Sequence, residues 1–196
     1  MSEKWATALA EFDAGPQYFA AFAARAADAA AEIIRTKSLS EAKSALHEVL
    51  RTIGAKKVVG TNSAYERWLK MAEELTSLGI EYFTNPPDIR IHAEDADAGI
   101  STVLFGVAET GSVVQDATAI EERLVSTLPP VHIVFLDSGK IVKDTATAAQ
   151  VISRHFTAGY VSFITGPSRT ADIERVLTIG VHGPTRFIVL AVDETI

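Results

Sequence analysis

The 196-residue chain contains no cysteine. Disulfides, zinc–thiolate sites and cysteine-ligated iron–sulfur clusters are therefore excluded within it, and a cytoplasmic location is expected. Runs of basic residues are missing too: Lys56-Lys57 is the only adjacent basic pair, and the formal net charge is −7. A chain this acidic would work against its own field on a phosphate backbone, so nucleic acid is not expected as a partner. The opening Met1-Ser2-Glu3-Lys4-Trp5 lacks a positive segment leading into an apolar run, so no signal peptide is expected. No stretch reads as a membrane span either, because Tyr18–Ile34 is dominated by alanine and broken by Arg25, Asp28 and Glu32. The five histidines (47, 92, 132, 155 and 182) show no His-x-x-x-His spacing, and no metal site is expected.

What is present is an ordinary globular composition, 47% hydrophobic and 22% charged, enough for one domain with a sizeable core. Alanine richness from Pro16 to Thr36 predicts a helix, and the spacing of Trp5, Leu9 and Phe12 a shorter one before it. Ser38-Leu-Ser-Glu41 is a capping-box pattern opening a further helix that runs to about Thr52 and stops at Gly54. Residues 1–55 thus read as an N-terminal helical arm or cap. Thereafter the rhythm changes. Strands are expected at 57–60, 80–83, 100–108, 112–114, 131–136, 160–165 and 186–192. Helices are expected at 65–77, 144–156 and 170–178, with Asn85-Pro-Pro-Asp88 as a loop. The expected fold of residues 56–196 is α/β, an open and mainly parallel sheet flanked by helices. Such sheets bind ligands beyond the carboxyl ends of their strands. Those exits are expected at 60–63, 106–112, 137–139, 165–168 and 193–194, all small or polar.

Two segments carry chemistry. Gly106-Val-Ala-Glu-Thr-Gly-Ser-Val-Val114 has the outer glycine spacing of a phosphate loop, but Ser112-Val113 stands where Lys-Ser/Thr is required. What remains is Glu109 on a glycine turn with the hydroxyls of Thr110 and Ser112. Gly111 permits positive φ and inward-facing N–H groups. Glu109 is a candidate base or nucleophile, the alternative being a hairpin turn whose glutamate faces solvent. Thr165-Gly-Pro-Ser-Arg169 ahead of the expected helix suits an anion at a helix start, with Thr165, Gly166, Ser168 and Arg169 as contacts. Plain capping by Ser168 or Thr170 is the alternative. A serine-hydrolase reading fails, since Thr170 replaces the last glycine of the nucleophile turn and His182 precedes Asp193. His182, in Gly180-Val-His-Gly-Pro184, is a candidate acid–base group or a histidine bonded to its own loop.

Taken together, Ala96–Ile100, Gly106–Val114, Ile164–Glu174 and Gly180–Pro184 resemble the LUD-domain family, in particular its lactate-utilisation C (LutC) branch. The resemblance implies a fold similar to the NagB/RpiA/CoA-transferase group. It also implies a part in oxidising L-lactate to pyruvate, with iron–sulfur clusters on partner proteins and none on this chain. The chain itself would bind a small organic acid or phosphate-like anion, or a partner. Glu109-Thr110-Gly111 is similar to the Glu-Asn-Gly turn of CoA transferases, with Thr110 in place of Asn. The alternative is a stand-alone enzyme on sugar phosphates or acyl-CoA using Glu109.

Overall fold

The computed structural model describes residues 9–156, 159–173, 176–179 and 183–194. In chain order, α1 (Phe19–Asp28) leads to β1 (Glu32–Thr36), α2 (Leu39–Ile53), β2 (Lys57–Gly60), α3 (Ala64–Trp68), α4 (Met71–Ser77) and β3 (Glu81–Phe83). Next come α5 (Pro86–His92), β4 (Ala98–Thr102), β5 (Phe105–Val107), β6 (Ser112–Asp116), α6 (Ile120–Thr127) and β7 (Val131–Asp137). The chain closes with β8 (Ile141–Val142), α7 (Thr145–His155), β9 (Val161–Ile164), the pair β10 (Arg169–Ile173) and β11 (Val176–Ile179), and β12 (Arg186–Val192).

Six strands form a wholly parallel sheet in the order β1-β12-β7-β4-β2-β3. Its centre is apolar on both faces, as the continuous runs in β7 and β12 require. Ile133 and Phe135 pack with Leu46, Leu50, Met71 and Leu75 on one side. Val134 and Leu136 pack with Phe19, Phe22 and Ala26 on the other. A smaller sheet, β8-β5-β6-β9, holds the strands that flank the Glu109 turn, and β10–β11 is a separate antiparallel hairpin. The α/β architecture with helices on both faces of a parallel sheet is the one expected.

Local readings differ in four places. The helix expected over 16–36 ends at Asp28, turns through Ala30 at φ 64°, and is replaced by β1. Ile33-Ile34 pair with Val189 and Leu190 of β12, so cross-strand pairing overrides alanine-based helix propensity, which is only a weak prior. Arg186 of β12 then donates to both Glu32 carboxylate oxygens, at 2.7 and 2.8 Å. The 65–77 helix is two helices, broken at Lys70 with φ 53°. Asn85-Pro-Pro-Asp88 opens α5 instead of forming a loop: Asn85 accepts from the Asp88 N–H at 3.0 Å and the prolines take the first helical positions. The helix expected over 170–178 is instead β10–β11; Thr170, Ile173, Val176, Thr178 and Ile179 supply the β-branched content that favours it. The capping box of α2 forms as read, with Ser38 Oγ accepting from the Glu41 N–H and Gly54 ending the helix at φ 67°. The short helix expected around Trp5 lies largely outside the described residues.

Chain direction across the main sheet reverses between β2 and β4. The path after β2 runs outward to β3, and the path after β4 runs inward to β7. Open sheets bind ligands at such a switch point, and the exits of β2 and β4 meet there, Thr102 Oγ1 donating to Ser63 Oγ at 2.7 Å. Two of the five expected exits, 106–112 and 165–168, belong instead to the smaller sheet and its continuation.

Candidate functional site

Glu109 sits in the tight turn between β5 and β6. Its carboxylate accepts from both the backbone N–H and the hydroxyl of Thr145, each at 2.9 Å. Thr145 is the first residue of α7, whose N-cap Asp144 accepts from the Thr147 N–H at 2.8 Å. Glu109 therefore adds a second carboxylate at that helix start, where unpaired N–H groups and the helix dipole favour negative charge. Those hydrogen bonds, the backbone one first, hold its carboxyl below the usual glutamate range. A carboxylate so held is a weak base. Beside it runs a groove of about 470 Å³ whose walls include Arg25, Asp28, Glu109 and Lys143. Arg25 lies 3.6 Å from Asp28 across one helical turn.

The two glycine segments singled out in the sequence do come together. Ser112 Oγ lies 2.5 Å from Thr165 Oγ1, because β6 and β9 are antiparallel neighbours with Val113 opposite Ile164. Thr110 Oγ1 accepts from the Ser112 N–H at 3.4 Å. Gly111 and Gly166 both have left-handed φ, 68° and 77°. Both press against the end of α1: a Cβ at Gly111 would lie 2.1 Å from Ala26 N, and one at Gly166 2.1 Å from Ala29 O. Arg169 donates to Asp28 O at 3.3 Å, and the Ser168 N–H donates to Pro184 O at 2.8 Å. With a strand where the helix was expected, no helix N-terminus follows Thr165–Arg169. These residues seat α1 against the small sheet, which is why glycine is needed twice. His182 lies outside the described residues.

Sequence reasoning missed the polar group at the switch point. Glu66, 2% exposed, accepts from the Ser63 N–H at 2.5 Å and from Thr61 Oγ1 at 3.3 Å, and Tyr82 donates its hydroxyl to the other carboxylate oxygen. Across the β4 exit, Gln115 donates to Glu122 at 2.9 Å. Burial first, then the charges of Glu66, Asp116 and Glu121, push the Glu122 carboxyl up to about 7 against that hydrogen bond. Ser63-x-x-Glu66 is itself a capping box, so a readable signal existed. For Gln115 and Glu122, only folding brings β6 and α6 together. Deeper in the sheet, Ser101 Oγ lies 2.9 Å from Nε2 of the fully buried His132. Burial lowers that imidazole to about 3 and keeps it neutral. Among the described residues, no group of three or more metal-ligating side chains occurs, and no helix is long and apolar enough to cross a membrane.

The architecture is shared with a crystal structure, at 1.70 Å, of a DUF162 family protein from Deinococcus radiodurans. The TM-score is 0.68 and the match covers 90% of this chain and 96% of that one, at 19% identity. The chain is 31% identical over 158 residues to Lactate utilization protein C of Shouchella clausii, covering 78% of this chain and 69% of that protein. It is 32% identical over 121 residues to an uncharacterized protein of Neisseria meningitidis serogroup B, covering 61% of this chain and 48% of that one. The chain thus spans from about half to two thirds of the length of these relatives. The model of the LUD domain matches residues 19–192, from the first turn of α1 to the last residue of β12, and the chain belongs to the LUD domain family.

Proposed function

We propose that the protein serves L-lactate utilisation as a LutC-like component that binds a small organic acid and acts with iron–sulfur partner proteins in oxidising lactate to pyruvate. The observation that carries this reading is the 31% identity to Lactate utilization protein C across 78% of the chain. Iron–sulfur clusters are assigned to partners because the chain has no cysteine to ligate one. The groove beside Glu109 supports the acid: Arg25 and Lys143 on its walls offer cations to a carboxylate. The stand-alone reading, with Glu109 as base or nucleophile on sugar phosphates or acyl-CoA, draws no support from a carboxylate already hydrogen-bonded twice by Thr145.

Reconstitution tests the proposal. Lactate oxidation by cysteine-rich partner proteins is expected to require this chain, and L-lactate or pyruvate is expected to raise its melting temperature, less so after Arg25→Ala with Lys143→Ala. Full lactate oxidation by the partners alone would overturn the role in the system. Stabilisation by CoA or a sugar phosphate, with none by lactate or pyruvate, would overturn the choice of ligand.

A further inference from the structure

A second cavity opens beyond the carboxyl ends of β1 and β12, where the start of α2 meets the junction of α3 and α4. It encloses about 390 Å³, a size suited to a small ligand. Its walls include Ser40, Lys43, Trp68, Lys70 and Glu194. Trp68 is 58% exposed, although indole is among the side chains that gain most from being covered. It ends α3, two residues before the break at Lys70, which adopts φ 53°. A left-handed lysine costs backbone energy that alanine or leucine would share, and only glycine or asparagine would relieve. Lys70 makes no salt bridge among the described residues, although its charge, like that of Lys43, acts on Glu74, which Lys43 engages directly. Glu194, the carboxylate on the wall, is engaged by the Leu39 N–H at 2.8 Å. The cavity thus pairs an uncovered aromatic plane with a lysine two residues away that makes no salt bridge among the described residues, and with a hydroxyl at Ser40.

We propose that this cavity is a nucleotide site, with the base stacked on the Trp68 indole and a phosphate held by Lys70 and Lys43. Every base offers a π-face to an aromatic platform, and a lysine ammonium binds phosphate as a point charge. The site is separate from the Glu109 groove and independent of the lactate reading.

Trp5 and Trp68 are the two tryptophans, so in a Trp5→Phe background fluorescence reports Trp68 alone. Adenosine 5′-monophosphate is expected to quench that emission with half-saturation below about 1 mM and to raise the melting temperature. Adenosine, lacking the phosphate, and ribose 5-phosphate, lacking the base, are each expected to bind at least about tenfold more weakly. Lys70→Asn, which keeps the left-handed backbone and removes the charge, is expected to weaken the nucleotide at least about fivefold without lowering the urea midpoint. Trp68→Ala, at an exposed position, is expected to abolish the thermal shift and leave the protein folded. The proposal is overturned if the nucleotide neither quenches nor stabilises at about 10 mM, or if adenosine binds as tightly as its phosphate ester. A thermal shift that survives Trp68→Ala would overturn it as well.

Discussion

Two glutamates at ordinary sequence positions are driven in opposite directions by what folding puts around them. Glu109 receives two hydrogen bonds from Thr145 and is held below the usual range, as a helix-capping carboxylate should be. Glu109→Gln is therefore expected to leave reconstituted lactate oxidation within about twofold of wild type, whereas loss of a nucleophile or base costs several orders of magnitude. A collapse of turnover in that variant would restore Glu109 to the chemistry. Glu122 is pushed from 4.5 up to about 7 by burial and neighbouring carboxylates. A carboxyl raised on folding contributes its full stability below about pH 4.5 and loses it as pH rises through about 7, because the folded state holds the proton longer. Glu122→Gln is expected to leave stability nearly unchanged at pH 4. At pH 8 it should add on the order of 1–3 kcal/mol, read by urea denaturation, since one pKa unit is about 1.4 kcal/mol. An equal effect at both pH values would refute this account.

At the scale of elements, α1 is the piece most dependent on others. Its own composition makes it helical, but its position is set by Gly111, Gly166 and Arg169. Replacing Gly111 or Gly166 by alanine is expected to cost about 2–4 kcal/mol, combining a left-handed residue with a Cβ driven into helix backbone. The double variant should cost less than the sum of the singles, because either alone unseats the same helix. Denaturant midpoints check both statements, and additive costs would show that the two turns act separately. The glycine motifs were legible in the sequence as special backbone positions. That they seat a helix was not, because the helix lies over 80 residues from Gly111 and over 130 from Gly166.

For the whole molecule, the described part of the first 55 residues, from Leu9 on, enters the same sheets and core as the rest. β1 covers the edge of β12, and α2 supplies Leu39, Ala42, Leu46 and Leu50 to the cluster under Phe135. Deleting residues 1–38 is expected to yield insoluble protein, since it bares the β12 edge and uncovers Val189 and Ala191. A soluble, cooperatively unfolding truncation would instead support an arm that is dispensable for folding.

The sequence by itself determined the alternation of apolar runs that makes a parallel sheet, the capping signals at Ser38 and Gly54, and the turn at Glu109-Thr110-Gly111. Each is local: a residue's propensity or hydrogen-bonding capacity acts within a few positions. The tertiary structure decided the rest. Ile33-Ile34 became a strand because β12 was there to pair with it, and Arg169–Ile173 paired antiparallel with Val176–Ile179. Glu109 met the start of α7 and became a cap, while Gln115 met Glu122 at the switch point. The β1 strand and the Glu109 cap depend on partners more than thirty residues away, and even the contact between Gln115 and Glu122, close in sequence, forms only once β6 and α6 have packed.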